Sequence, residues 1–206
     1  MPIDRLNTVI RMIPVWPVYA GSVAYVGWLL WLGIGGGLGA NPVEALEHAL
    51  GEAALYALVA GLAVTPTRRF LRLNLLKFRR AIGLACFIFL LGHVMTWAVL
   101  DVQSPGAVWA DIVKRPYITV GMAAFLLLLP LAATSNNASV QRLGRRWRKL
   151  HMLVYPAAVL GAMHYVMLVK GWQSKPLAFL LVITGLLLLR VRRPARLRRG
   201  VSGRAA

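Results

Sequence analysis

Four histidines carry most of the chemistry open to this chain: His48, His93, His151 and His164. His48 sits in an acidic stretch beside Glu44 and Glu47 and reads as an exposed side chain. The other three fall in or at long apolar runs. Polar groups are costly in hydrocarbon, so each reads by default as functional, with a hydrogen bond between helices as the ordinary alternative. Spacing separates them. His93 lies seven residues before Asp101, and His164 lies six before Lys170. At roughly 1.5 Å per residue the two rings sit about 10 Å and about 9 Å inside the same ends of their helices. Two imidazoles at one depth, on helices running the same way, suit the two axial ligands of a single haem. Gly92 adjoins His93 and Gly161 precedes His164 by three. Such small residues let a flat macrocycle approach the backbone, or serve close helix packing.

His151 lies 13 residues before His164, about 20 Å away on an ideal helix. The matching position on the other helix, 14 residues before His93, is Arg79. A second bis-histidine pair is therefore not written here. His151 remains a candidate iron ligand for a second haem. Arg79 at the same depth would meet a propionate or phosphate; its ordinary alternative is a membrane-flank anchor. Thirteen residues at about 3.6 per turn leave His151 and His164 roughly 140° apart. Either Pro156 distorts the helix between them or they serve different faces. The candidate iron ligands are thus His93, His164 and His151. No catalytic nucleophile or acid pair accompanies them. The single cysteine, Cys86, lies inside an apolar run; it excludes an internal disulfide and a cysteine-held metal cluster, and reads as a small core residue.

The elements that position these residues are membrane helices. The chain is 59% apolar, against about 45–50% for soluble domains. Its apolar runs lack strand alternation, so they read as helices and not a barrel. They span 15–34, 52–65, 81–100, 117–134, 150–169 and 176–189. Between the first two lies a short amphipathic segment, 41–51, inside which the outer end of the short second run can begin, and Thr65-Pro66-Thr67-Arg68-Arg69 ends the second. The first run resembles a signal peptide, but its length and its tryptophans Trp16, Trp28 and Trp31 read as a retained helix. The net charge is +18, yet the basic residues cluster at the ends of apolar runs, so nucleic-acid binding is not expected. Of the 24 lysines and arginines, all but Lys114, Arg115, Lys170 and Lys175 fall on one side. That split predicts an all-α integral membrane protein, a six-helix transmembrane bundle with both termini cytoplasmic. Residues 1–14 form a cytoplasmic N-terminus, 15–189 the haem-binding membrane domain, and 190–206 a basic cytoplasmic tail.

Several stretches then become recognisable together: Asn41-Pro42-Val43-Glu44, Thr65-Pro66-Thr67-Arg68-Arg69, Arg79-Arg80-Ala81-Ile82-Gly83-Leu84 running to His93, Arg115-Pro116-Tyr117-Ile118-Thr119-Val120-Gly121, Leu131-Ala132-Ala133-Thr134-Ser135, and Arg145-Arg146-Trp147-Arg148-Lys149-Leu150-His151 through Tyr155 to His164-Tyr165. Each is weak alone; their order and spacing are specific. The sequence resembles the MsrQ family, the haem-binding membrane subunit of the bacterial periplasmic protein-methionine-sulfoxide reductase system, within the ferric-reductase-like transmembrane group. The resemblance implies b-type haem on histidines of the third and fifth helices, in the bacterial inner membrane. It also implies delivery of electrons to a periplasmic molybdopterin enzyme that reduces methionine sulfoxide in proteins. Electrons would arrive by way of flavin from a cytoplasmic flavin reductase or other donor, and the resemblance admits a bound FMN. Arg79 stands where the wider group has its second histidine on the third helix, which leaves the haem count open between one and two.

Two other classes compete: a transporter or proton channel using the histidines as relays, and a quinol-oxidising cytochrome b. The first would show broken helices in matching halves, and no such pair is seen. The second would need a quinone pocket, which the sequence does not reveal. No nucleotide-binding glycine fingerprint is present, so electrons must come from another protein or a diffusible carrier. The expected role is an electron-transfer subunit whose substrate chemistry belongs to a partner.

Overall fold

The computed structural model describes residues 2–169, 171 and 173–190. Lys170, Trp172 and most of the basic tail fall outside them. The described residues form helices and turns only: α1 (Pro2–Met12), α2 (Trp16–Ile34), α3 (Pro42–Phe70), α4 (Arg79–Met95), α5 (Pro105–Lys114), α6 (Pro116–Ala133), α7 (Asn137–Leu143), α8 (Arg145–Leu150), α9 (Val154–Leu168) and α10 (Ser174–Leu188). A π-helical turn, Thr96–Asp101, extends α4, and 3₁₀ turns Leu76–Phe78 and His151–Leu153 precede α4 and α9. Five helical stretches are long and apolar enough to cross a membrane: Trp16–Ile34, Pro42–Phe70, Leu76–Asp101, Pro116–Ala133 and Arg145–Leu168. Ser174–Leu188 is a shorter apolar helix. The chain is an all-α, multi-pass integral membrane protein.

The second membrane helix differs from its reading in the sequence. The amphipathic segment 41–51 is not separate; the outer end of the second helix begins inside it, as the sequence allowed, and it forms the first turns of α3, which runs unbroken for 29 residues. Leu46, Leu50, Ala54, Leu58 and Leu62 recur every four residues and are all buried, a stripe that outweighs the intervening acids. Nor does Pro66 end the helix. Proline lacks an N–H and so frees the carbonyl four residues earlier, that of Leu62. The guanidinium of Arg190 fills the gap, with Nη2 donating to the Leu62 carbonyl at 2.5 Å and the Gly61 carbonyl at 3.4 Å.

Two helix pairs form the frame: α3 packs along α4, and α6 along α9. The last helix, α10, closes against α9 and α3, and α2 lies against α4. Leu58 and Leu62, Cys86, Ala158 and Ala162, and Ile183 meet in one core. Lipid tails are as apolar as leucine, so burial alone does not drive this association; close van der Waals contact does. Ala157, Ala158 and Ala162 are wholly buried and let α9 approach its neighbours. Cys86 is the small core residue expected, its thiol donating to the Ala54 carbonyl at 3.3 Å.

Three short helices appear where the sequence reading had flanks and loops. In α1, Ile3, Leu6 and Ile10 share one face at helical spacing, which suits a helix lying in the membrane interface. It is fastened to the turn before α4: Lys77 Nζ donates to the carbonyls of Arg11 (2.7 Å) and Ile13 (2.5 Å), capping its C-terminal end. Ser104 caps α5 by accepting from Ala107 N at 3.2 Å, and Pro105 opens it. Asn136 caps α7 in the same way, accepting from Ser139 N at 2.8 Å.

Candidate haem site

His93 on α4 and His164 on α9 face each other with ring centroids 6.2 Å apart and planes at 77°. A metal–imidazole bond is about 2 Å long, so two rings coordinated on opposite sides of one ion have centroids about 6 Å apart. The pair is therefore already spaced for one iron between them.

The other nitrogen of each ring is held by backbone. His93 Nδ1 donates to the Glu47 carbonyl at 2.9 Å, and His164 Nδ1 to the Tyr117 carbonyl at 2.7 Å. These bonds hold the proton on Nδ1, leave Nε2 as ligand atom, and fix the ring planes, as second partners of metal-bound histidines do. One turn after each acceptor stands a glycine. A Cβ on Gly51 would lie 3.1 Å from His93 Nδ1, and a Cβ on Gly121 would lie 2.7 Å from His164 Nδ1. Each imidazole thus lies against bare backbone of the helix paired with its own. The same device occurs twice, once in each helix pair, with α3 seating the histidine of α4 and α6 seating the histidine of α9.

A cavity of about 740 Å³ surrounds the pair, within the roughly 300–1,000 Å³ of cofactor pockets. Its deeper wall is apolar, with Leu55, Leu58, Leu90 and Leu128. Its mouth is polar, with Glu47, Arg115, Gln173 and Lys175. An apolar slot with a charged rim matches a macrocycle bearing carboxylates at one edge, so the residues present fit haem. At the rim, Glu52 accepts from the Tyr165 hydroxyl at 2.8 Å and pairs with Lys175 Nζ at 2.6 Å. That cluster ties together α3, α9 and α10 beside His164.

The remaining candidates are placed as follows. His48 is exposed, as read, though it reaches the cavity mouth. Gly92 serves helix packing, since a Cβ there would lie 3.2 Å from the Leu50 side chain. Gly161 lines the haem cavity. His151 stacks on Trp147, with centroids 3.8 Å apart, and its Nδ1 lies 3.1 Å from the Trp147 carbonyl. Its Nε2 is buried, and the ring interacts with the Leu131 backbone as well as with that of Trp147. The distortion expected at Pro156 takes the form of the 3₁₀ turn His151–Leu153 just ahead of it. Arg79 is within electrostatic reach of His151, but no hydrogen bond joins them among the described residues. Arg79 lines a second cavity at the basic end, with Tyr155 and Arg190.

The sequence reading missed Gly51, Gly121 and the carbonyls of Glu47 and Tyr117. Each glycine lies four residues after its acceptor, but only the helix pairing reveals which histidine it faces.

The match with known proteins is broad. The family model of the ferric reductase like transmembrane component covers residues 50–162. Among curated proteins, the heme-binding subunit MsrQ of protein-methionine-sulfoxide reductase from Brucella anthropi is 46% identical over 190 residues, covering 91% of this chain and 86% of the relative. Its counterpart from Brucella ovis is 45% identical over 181 residues, covering 87% and 82%. No solved structure matches. With the family model covering more than half of the chain, His93 included and His164 two residues beyond its end, and with identity near one half along almost the whole length, the chain belongs to the MsrQ family within the ferric-reductase-like transmembrane group.

Proposed function

We propose that this chain is a haem b electron-transfer subunit of the bacterial inner membrane that serves a periplasmic molybdopterin methionine-sulfoxide reductase in the repair of oxidised proteins. The observation that carries the proposal is the 6.2 Å spacing of His93 and His164, each fixed through Nδ1 by a backbone carbonyl. Relatives named as the heme-binding subunit of protein-methionine-sulfoxide reductase support the partner; molybdopterin, a flavin-linked cytoplasmic donor and FMN follow from the family resemblance. Bound between the two rings, haem supplies one-electron transfer.

The residues of the chain do the rest. His93 and His164 would hold the iron. The Glu47 and Tyr117 carbonyls hold the rings in place, Gly51 and Gly121 leave them room against the backbone, and the apolar wall excludes water. The cavity opens toward the end of the bundle opposite the arginine-rich one. With that basic end cytoplasmic, the site stands near the outer surface, where a docked protein can be reached. On that surface α5 presents Trp109, 69% exposed. His151, near the basic end, is the candidate for a second iron or for docking a flavin, and Arg79 is the guanidinium at that end for a propionate or phosphate. Residues 1–14, 15–189 and 190–206 serve as cytoplasmic N-terminus, haem-binding membrane domain and basic tail.

The test uses membrane vesicles of known sidedness, with the haem reduced before the oxidised periplasmic subunit and a methionine-sulfoxide protein are added. Reoxidation is expected when the outer face is exposed. Its absence there, with active partner and substrate present, would overturn the proposal.

A further inference from the structure

At the basic end, a cavity of about 930 Å³ opens between the end of α3, the start of α4 and the end of α10. Arg68, Arg69, Arg79 and Arg190 line it, and among the described residues no carboxylate does. Four like charges gathered in one concavity repel each other, and nothing in the lining neutralises them. Arg190 sharpens the point. Two of its nitrogens are engaged, Nη1 with the Tyr155 hydroxyl at 3.3 Å and Nη2 with the Leu62 carbonyl at 2.5 Å. Its Nε is buried with no hydrogen-bond partner. A buried donor left unmet calls for an acceptor. Guanidinium forks match phosphate oxygens in pairs, so the chemistry points to a phosphate group.

The rim indicates what carries that phosphate. Phe70, Leu188 and Leu189 line the same cavity and are 57%, 66% and 46% exposed. All lie at the ends of helices long or apolar enough to sit in a bilayer. A soluble phosphate would leave this apolar rim uncovered; a phospholipid would set its headgroup among the arginines and its acyl chains along Phe70 and Leu188. Basic pockets between membrane helices take anionic headgroups in this way.

We propose that this cavity is a binding site for an anionic phospholipid headgroup. Nothing in the proposal depends on iron or on the direction of electron flow. Arg79 is shared with the cofactor reading of this end, and Arg190 also supports α3, so the test removes Arg68 and Arg69. The full-length protein, purified and delipidated in detergent, is titrated by native mass spectrometry with phosphatidylglycerol and with phosphatidylcholine. Wild type is expected to prefer phosphatidylglycerol. In the Arg68→Gln/Arg69→Gln variant that affinity should fall about tenfold or more, as expected on losing charge-assisted phosphate contacts, with phosphatidylcholine binding unchanged and the haem spectrum as in wild type. Equal affinity of wild type for the two lipids, or an unchanged affinity in the variant, overturns the site. Displacement of phosphatidylglycerol by inorganic phosphate or flavin mononucleotide at equal concentration overturns the lipid assignment in favour of a soluble phosphate. Should the variant fail to fold, the lipid preference and the competition in wild type decide alone.

Discussion

Replacing Gly121 with alanine places a methyl carbon 2.7 Å from His164 Nδ1, 2.9 Å from Cε1 and 3.2 Å from Cγ. An ordinary contact begins near 3.4 Å, so the ring must retreat by about 0.7 Å, the difference between 3.4 and 2.7 Å. Without haem, His164 can swing aside. With haem, iron would pin Nε2 on one side while the Tyr117 carbonyl pins Nδ1 at 2.7 Å on the other, so the cost would fall on haem binding. Overpacking costs about 1–3 kcal/mol and loss of the Nδ1 hydrogen bond about 1 kcal/mol. Together these weaken haem affinity roughly 30- to 700-fold. Gly51→Ala is milder, since its Cβ would stand 3.1 Å from His93 Nδ1; a cost of about 1 kcal/mol is about fivefold in affinity. Gly83→Ala is the control, because nothing lies within 4 Å of the added atom. Haem retention is read by pyridine haemochrome, and axial ligation by electron paramagnetic resonance. The order Gly121 worst, Gly51 intermediate, Gly83 silent is expected. A Gly121→Ala protein with full haem and an unchanged low-spin signal would refute the seating of His164 on that glycine.

His93→Ala and His164→Ala should each abolish or convert the low-spin signal, while His151→Ala should leave it intact; its disappearance in His151→Ala would place that residue on the same iron. With buried Cys86 removed as background, a membrane-impermeant thiol probe should label Trp109→Cys in α5 from outside and should not label Ala138→Cys in α7; the reverse pattern would invert the topology. Arg190→Gln should destabilise the protein by about 1.5–3 kcal/mol through the unmet Leu62 carbonyl, seen as a lower melting temperature in detergent. Pro66→Ala restores an N–H for that carbonyl, so the double variant should lose less than the sum of the singles, and strict additivity would refute the link.

The sequence alone determined that the chain enters a membrane as helices, that most of its cations share one side, and that His93 and His164 share one depth. All three follow from local geometry: hydrocarbon forces backbone pairing within each helix, and a constant rise per residue turns spacing into depth. The tertiary structure decided what surrounds those histidines. The Glu47 and Tyr117 carbonyls lie 46 and 47 residues from the rings they hold, on other helices, and no periodicity within α4 or α9 points to them. The length of α3 was likewise undecidable locally. Acids and a proline mark a boundary when judged residue by residue, yet here the buried leucine stripe carries the helix through the acids. The carbonyl freed by Pro66 is satisfied by Arg190, 128 residues beyond it in the chain. A breaker breaks a helix only when nothing else can reach the group it leaves unpaired, and what can reach it is set by the packing of α10 against α3.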